Sequence, residues 1–219
     1  MFETVLMKSL LNGYEIDQPF GKSAREAEFW VHYSATSKEL FDAFQTAIRA
    51  HRSDAVITFL TMPMAIWGLM KEAIFSEHAA IIVDIGGELT EVTFIVDGVV
   101  VEIVSLPFGV ANILIRIAGS ERIDMESALS LLKTYTDESL SKEAQKKVRA
   151  IIKSEIRNWE QIFERVWQQA SRLNMANIRV FFLGGGALVA EMKDVIVPPL
   201  LHPDLARNLQ AALVSPDVS

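Results

Sequence analysis

The fold of this chain is decided by the stretch Asp84-Ile85-Gly86-Gly87-Glu88-Leu89-Thr90-Glu91. An apolar run ends here in an acidic residue and two glycines before a second apolar run begins, so the pattern predicts two strands joined by a tight turn. Because glycine has no Cβ, the N–H groups of Gly86 and Gly87 can approach a phosphate. Asp84, at the strand end, would hold Mg²⁺ through water, and Thr90 would add a hydroxyl group. The alternative is an ordinary hairpin turn with a solvated aspartate.

A second glycine run follows another apolar strand, in Phe181-Phe182-Leu183-Gly184-Gly185-Gly186-Ala187. We expect a helix over Ala187 to Val195, so that Gly184, Gly185, Gly186 and Ala187 form a helix start with free N–H groups against which a flat ligand can lie. The spacing is neither a dinucleotide-binding fingerprint nor a P-loop, and a close strand-to-helix crossover is the alternative. Both glycine runs are expected at the sheet edge where open sheets bind ligands.

Between and before these runs, the pattern predicts a β-meander followed by helices. Asp97-Gly98 is a strong hairpin signal, and apolar residues at three- and four-residue steps indicate long helices. The predicted strands are Ala80 to Ile85, Thr90 to Val96, Val99 to Leu106 and Ile178 to Leu183, and the predicted helices are Val110 to Ala118, Met125 to Tyr135 and Lys142 to Asn174. A coiled coil is the rival for the last helix, but its broad apolar stripe favours packing on a sheet.

The N-terminal part alternates short strands and helices. Asn12-Gly13 predicts a turn after the first strand, and Ser37 predicts the N-cap of a helix. The expected strands are Thr4 to Leu11, Phe29 to Tyr33 and Ala55 to Leu60, and the expected helices are Ser37 to Ile48, Pro63 to Phe75 and, in the tail, Asp204 to Leu213. For Pro63 to Phe75, a buried inter-lobe helix is favoured over a membrane-surface helix, because the segment carries little charge.

Composition narrows the function classes. The 219 residues include 21 Lys and Arg against 28 Asp and Glu, a net charge of −7, which opposes binding to a nucleic-acid backbone. The chain has no cysteine, which excludes disulfide scaffolds and thiol chemistry. No stretch has the length and apolarity of a membrane-spanning helix, and no signal-peptide pattern opens the chain. We therefore expect a cytoplasmic protein with no nucleic-acid partner and no transmembrane segment.

At the glycine runs the chain resembles the actin, heat-shock chaperone and sugar-kinase superfamily, and within it the FtsA and PilM branch. Asp84 to Gly87 with Thr90 is similar to the second phosphate motif, and Leu183 to Ala187 to the adenosine motif. Ser105 to Gly109 is similar to the segment that leads into the next helix. The resemblance implies an α/β fold, a ribonuclease H-like lobe with a β-meander and helices on the sheet. It also implies binding of ATP and Mg²⁺.

The resemblance further implies a division of the chain into two parts. Asn12 to Lys22 is similar to part of the small inserted subdomain of this branch, so residues 1–78 are expected to contribute part of an α+β subdomain and an inter-lobe helix. Residues 79–219 are expected to form the second half of the nucleotide-binding lobe. The resemblance implies protein partners: copies of the chain itself, a tubulin-like division protein, or inner-membrane pilus components at the cytoplasmic face.

The motifs also depart from the family pattern. Glu88 and Leu89 stand where the family has a glycine and a threonine, and leucines in Ala128 to Lys133 stand where a helix normally supplies a Glu and a Lys. The first phosphate motif is missing, so we expect either a fragment of a longer protein, which we favour, or a remnant that no longer hydrolyses ATP. A non-hydrolysing scaffold is therefore the alternative to an ATPase. A nuclease on the same fold would have Asp84, Glu91 and Asp97 as its candidate carboxylates.

Overall fold

The computed structural model describes residues 1–74, 79–172 and 178–196. The chain forms two compact units: Met1–Ala73 with Gly98–Val100 make up the first, and the described residues of Ile74–Asp97 and from Val101 onward make up the second. The assignment of 1–78 to an inserted subdomain and of 79–219 to a nucleotide-binding lobe stays a prediction. The predicted helix at Asp204 to Leu213 lies outside the described residues.

The first unit contains a three-stranded antiparallel sheet and two helices. Its sheet has the order β2-β1-β3, and the elements are β1 (Glu3–Leu11), β2 (Tyr14–Glu15), β3 (Ala27–Ser34), α1 (Lys38–His51) and α2 (Met62–Ile74). Asn12 and Gly13 have φ values of 53° and 82°, as the predicted turn requires. The Ser37 side chain accepts a hydrogen bond from the Leu40 N–H, which confirms the N-cap. Such a cap stabilises a helix by about 1 kcal/mol.

The predicted strand at Ala55 to Leu60 is wrong. It pairs with no strand in the described part of the chain, although its side chains alternate between half-buried and exposed positions as in a strand. The Phe59 ring contacts the rings of Phe2, Phe41 and Phe44, with centroids 6.4, 4.7 and 6.5 Å away. Alternation therefore indicated an extended backbone, but it did not indicate whether a neighbouring strand was available to pair with it.

The second unit contains a four-stranded sheet with the order β6-β5-β4-β7. Its strands are β4 (Ala79–Ile85), β5 (Thr90–Val96), β6 (Val99–Leu106) and β7 (Ile178–Leu183), which confirms the meander and the later strand. β4 is central, antiparallel to β5 and parallel to β7, and every residue of β4 except Asp84 is buried. A strand buried on both faces is typical of a parallel pairing, and its continuous apolar sequence follows from that position.

The described residues of this unit form the α-helices α3 (Val110–Glu121), α4 (Met125–Thr136), α5 (Lys142–Arg172) and α6 (Ala190–Ile196). The apolar stripe of α5 packs into the core of the unit, as its spacing predicted. The buried side chains of α5 are Val148, Ile152, Ile156, Trp159, Phe163 and Val166, and they join a core that includes Ile81, Val83, Ile85, Phe94, Ile113 and Ile117. In the described parts of the chain, no helix is both long and apolar enough to span a membrane.

The start of α6 differs from the prediction. Residues Gly185–Leu188 form one turn of 3-10 helix, and the α-helix begins only at Ala190. Gly184 has a φ of 79°, which an L-residue rarely adopts, and the Gly186 backbone packs against the Ile85 side chain. These two constraints make a tight turn before the helix, whereas the predicted helix began at Ala187.

Candidate functional site

The turn after β4 is a two-residue hairpin loop. The Gly86 N–H donates to the Leu89 carbonyl oxygen at 2.9 Å, which closes the loop around Gly87 and Glu88. Beyond this turn, the carbonyl oxygens of Gly86 and Gly87 accept hydrogen bonds from the first two N–H groups of α3, those of Val110 at 3.0 Å and Ala111 at 2.7 Å. The turn thus satisfies two donors that a helix start otherwise leaves without partners.

This arrangement fixes the direction of the N–H groups of the turn. All described peptide bonds are trans, and in a trans peptide the N–H points opposite to the preceding carbonyl. Since the carbonyls of Gly86 and Gly87 face α3, the N–H groups of Gly87 and Glu88 point away from it. Among residues 1–74, 79–172 and 178–196, neither N–H donates to a protein acceptor. Two adjacent free N–H groups of this kind can bind an anion.

Gly109 permits the close contact between this turn and α3. A Cβ at Gly109 would lie 2.5 Å from the carbonyl oxygens of both Gly86 and Gly87. Its neighbour Phe108 anchors the segment, because the Phe108 ring stacks on Trp159 at 4.3 Å and contacts Phe163 edge-on at 5.4 Å. Sequence reasoning placed Gly109 in the motif leading into α3 but did not predict this contact. The signal was a single glycine immediately before a helix.

The Thr90 hydroxyl group does not face the cleft described below. Thr90 is fully buried, and its hydroxyl donates to the Phe108 carbonyl oxygen at 2.9 Å. The expectation that Thr90 contributes a hydroxyl to a phosphate is corrected accordingly. Its hydroxyl instead ties the start of β5 to the segment that leads into α3.

The two glycine runs lie side by side, as predicted. β4 and β7 are parallel, and Asp84 is opposite Leu183 in their register, so both runs leave the same edge of the sheet. The Gly184 backbone packs so closely on Asp84 Oδ1 and the Ile85 carbonyl that a Cβ at Gly184 has no room. The idea that these distant runs meet at one edge is therefore confirmed.

Both runs contribute to one cleft of about 320 Å³ within the second unit. Gly86 and Gly87 of the first run and Gly185 of the second all line it. The remaining lining residues come mainly from α4 and from the turn before α6: Val110, Leu129, Leu132, Lys133, Thr136, Leu188 and Val189. Of the predicted site residues, Asp84, Gly184, Gly186 and Ala187 are not among those that line the cleft, although Asp84 and Gly184 contact each other directly beside it.

α4 forms a wall that sequence reasoning foresaw only in part. Its leucines do occupy the cleft, since Leu129 and Leu132 both line it, but Lys133 and Thr136 line it as well. Lys133 is exposed and brings a positive charge to an otherwise uncharged wall. The positions follow from helical geometry, because residues three and four apart share one helix face.

Asp84 is the acidic group of this edge. Partial burial raises the pKa of its carboxyl group above the usual value, because desolvation disfavours the charged form. Within the described ranges no side chain or N–H group donates a hydrogen bond to it, and no group of three or more His, Asp or Glu side chains there is placed to hold a metal ion. A single carboxylate suits a cation that takes its remaining ligands from water and phosphate, as Mg²⁺ does.

Comparison with known proteins gives a fold. No protein-family model matches the sequence, and no curated protein is significantly similar to it. The chain is similar to a chain of the "PilM-PilN type IV pilus biogenesis complex", with a TM-score of 0.55 and 18% identity, over 71% of this chain and 46% of that one. It is also similar to MreB 5 of Spiroplasma citri bound to AMPPNP, with a TM-score of 0.53 and 16% identity, over 74% of this chain and 57% of that one.

The chain thus spans about half the length of these two structures. At such low identity the likeness shows the fold alone. The observed meander, the helices on the sheet and the parallel strand that is followed by glycines agree with this fold likeness. The chain therefore has the α/β, ribonuclease H-like fold of the actin-like ATPases.

Proposed function

We propose that this chain is an ATP-binding, actin-like protein whose cleft takes the nucleotide between its two glycine turns. The observation that carries the proposal is the convergence of Gly86-Gly87 and Gly185 on one cleft at the ends of two adjacent core strands. In open α/β sheets, ligands bind at the carboxyl ends of the strands. MreB 5, whose structure is similar to this chain, was determined in complex with AMPPNP, an ATP analogue.

The phosphates belong on the side of the Gly86-Gly87 turn. The N–H groups of Gly87 and Glu88 supply two donors for phosphate oxygens, and Asp84 supplies the carboxylate that orients Mg²⁺ through water. Bound Mg²⁺ would neutralise phosphate charge and favour the ionised form of Asp84. Thr90 acts indirectly, since its hydroxyl holds the segment on which the turn rests.

The nucleoside belongs on the side of α4 and the second glycine turn. Gly185 leaves open space, because a Cβ there meets no atom within 4 Å. A flat base can lie against Gly185 and Leu188 and pack on Leu129 and Leu132. The conformation of this turn is fixed by Gly184, Gly186 and Ala187. Gly184 and Ala187 share a backbone hydrogen bond, and Gly184 and Gly186 pack on β4.

A direct test is calorimetry of the whole chain with ATP and Mg²⁺. Gly185→Leu fills the open space of the cleft, and we expect it to weaken ATP binding by about tenfold or more while the protein stays folded. Gly119→Leu, on α3 and outside the cleft lining, is the matched control, since a Cβ at Gly119 also meets nothing within 4 Å. Absence of ATP binding by the unmodified chain, or equal binding by both variants, would contradict the proposal.

A non-hydrolysing scaffold is the second candidate. Glu88 is exposed at the tip of the phosphate turn, so its carboxylate places a negative charge beside the two free N–H groups. That charge opposes the phosphate charge and disfavours the transition state of phosphoryl transfer. Measurable ATP turnover that disappears in Asp84→Ala would reject the scaffold and favour an ATPase; binding without turnover would favour the scaffold.

We further propose a cytoplasmic assembly factor of the FtsA and PilM type, acting at the inner membrane face in cell division or pilus assembly. The support is the likeness to a chain whose structure was determined as a PilM–PilN complex. The partners would be copies of the chain, a tubulin-like division protein, or inner-membrane pilus components. Sedimentation of the chain with and without ATP, and co-sedimentation with each partner class, tests this role, and a chain that stays monomeric and binds none of them would contradict it.

A further inference from the structure

Three helices of the second unit meet at a partly buried polar network formed by Tyr135 of α4, Arg149 of α5 and Glu191 of α6. We propose that Glu191 is a positioning residue that holds the α4 wall of the cleft against the wall formed by the second glycine turn. The proposal rests on the proposed function, because it assigns these side chains to the geometry of the nucleotide cleft.

One carboxylate oxygen joins the three helices. Glu191 Oε1 accepts a hydrogen bond from the Tyr135 hydroxyl at 2.5 Å and another from Arg149 Nε at 3.0 Å. Arg149 Nε also donates to the Tyr135 hydroxyl oxygen at 3.2 Å, so each member contacts both others. The Glu191 side chain is only 6% exposed, whereas that of Arg149 is 55% exposed. Glu191 is therefore the buried centre of the network.

The network involves residues that are next in sequence to those that line the cleft. On α4, Tyr135 lies between Leu132 and Thr136, which are both lining residues. On the other side, Glu191 follows Leu188 and Val189 within one turn, and the Met192 N–H donates to the Val189 carbonyl at 3.0 Å. A shift of either helix would therefore move side chains that face the ligand.

Stability alone does not account for a buried carboxylate here. Burying the Glu191 carboxylate costs hydration, although its partner Arg149 stays half exposed, and well-packed apolar residues often stabilise a fold as well or better. Glu191 Oε2 is buried and lacks a hydrogen-bond partner in the described part of the chain, which adds to that cost. Burial, and after it the hydrogen bond to Glu191, raises the pKa of Tyr135, which keeps its hydroxyl the donor in this pair. A costly group of this kind can be retained because it specifies one arrangement of the helices.

The test compares Glu191→Gln with the same substitution in a second ion pair made by α5. Lys147 of α5 pairs with Glu121 of α3 at 2.6 Å, and neither residue lines the cleft, so Glu121→Gln is the control. Tyr135→Phe is a second, milder variant that removes only the hydroxyl group. Each protein is measured well below its melting temperature by two methods: calorimetry with ATP and Mg²⁺, and hydrogen exchange of backbone amides without any ligand.

We expect Glu191→Gln to weaken ATP binding by about five- to tenfold, and Tyr135→Phe to weaken it less, while Glu121→Gln leaves binding unchanged. Without ligand, amide exchange at the second glycine turn and the end of α4 should rise by about tenfold in Glu191→Gln and not in Glu121→Gln. Unchanged exchange at these amides in both Glu191→Gln and Tyr135→Phe would overturn the proposal, as would an equal effect of Glu121→Gln. If the unmodified chain binds no ATP but the exchange pattern is as expected, the proposed function fails and the positioning of the two helices stands.

Discussion

At the scale of single residues, the Asp84 carboxylate suits ligand binding but opposes folding. Asp84 is the penultimate residue of β4, whose other residues are all buried, so its ionised form loses hydration, and burial raises its pKa. A raised pKa means that the folded state prefers the protonated carboxyl group. The charge therefore opposes folding at neutral pH, which is typical of a residue retained for binding.

We predict that Asp84→Asn stabilises the ligand-free protein at pH 7 and weakens Mg²⁺-dependent ATP binding by about tenfold or more. The stability gain should shrink as the pH falls through the raised pKa and vanish below the usual pKa of aspartate, because Asp84 is then neutral in both states. Thermal unfolding between pH 3 and 7 measures the gain, and calorimetry measures the binding.

Asp124→Asn is the control of opposite sign. Asp124 caps α4, and hydrogen bonds from Ser127, mainly from its backbone N–H, lower the pKa of its carboxyl group. A lowered pKa means that the folded state prefers the ionised carboxyl group, and this preference stabilises the protein above the usual pKa of aspartate. Because Asp124→Asn removes the charge, it should destabilise the protein at pH 7. An equal and destabilising effect of both substitutions would contradict the account of Asp84.

Neighbouring glycines in the second turn have different reasons for their identity. Gly184 combines a φ of 79° with a close contact to Asp84 and Ile85, whereas Gly185 has neither constraint. We predict that Gly184→Ala destabilises the protein by about 1 to 3 kcal/mol and that Gly185→Ala changes stability by less than about 0.5 kcal/mol. Urea unfolding of the two variants checks this difference, and equal losses would show that the turn adjusts freely.

At the scale of elements, the start of α3 is tied to the first glycine turn. The N–H groups of Val110 and Ala111 donate to the carbonyl oxygens of Gly86 and Gly87. The same carbonyl oxygens leave no room for a Cβ at Gly109. Two backbone hydrogen bonds and one close contact therefore join the turn to the helix. A ligand that binds the N–H groups of the turn acts on the same peptide units whose carbonyls hold α3.

We predict that Gly109→Ala destabilises the protein by about 1 to 3 kcal/mol, because the new methyl group pushes α3 away from the turn. It should also weaken ATP binding. Gly119→Ala, in the same helix, should stabilise by about 0.5 to 1 kcal/mol, since an exposed helical glycine is replaced without a clash. Denaturant unfolding measures both, and a Gly109→Ala protein as stable as the unmodified chain would contradict the packing described for this contact.

At the scale of the whole molecule, the cleft belongs to the second of two compact units. Ligand binding stabilises the unit that holds the site, by about 2.7 kcal/mol when free ligand is about 100 times Kd. The first unit has its own sheet and its own aromatic cluster around Phe59. Binding is therefore expected to affect the unfolding of the two units unequally.

We predict that saturating ATP and Mg²⁺ raise the unfolding temperature of the second unit by about 5 to 10 °C and that of the first unit much less. Variants that keep a single tryptophan, either buried Trp159 in the second unit or Trp30 in the first, report the two transitions by fluorescence. An identical shift at both tryptophans would show that the units unfold together.

The sequence by itself determined the local features of this protein. Apolar periodicity and turn residues placed the meander, the long helices, the Ser37 cap and both glycine runs. These features depend on interactions between near neighbours in the chain. The extended segment at Ala55 to Leu60 and the turn at Gly185–Leu188 were misassigned, because strand pairing and the packing of Gly186 on Ile85 involve residues far away in sequence.

Only the tertiary structure decided which of these features meet. The parallel register of β4 and β7 brings the glycine runs together. The packing of the segment before α3 on the first glycine turn and on β5 buries the Thr90 hydroxyl and makes Gly109 necessary. The tertiary structure also joins Tyr135, Arg149 and Glu191, which are distant in the chain and carry no shared pattern. Contacts between elements depend on how three-dimensional surfaces pack, and the periodicity of each element specifies which face is buried without specifying against what.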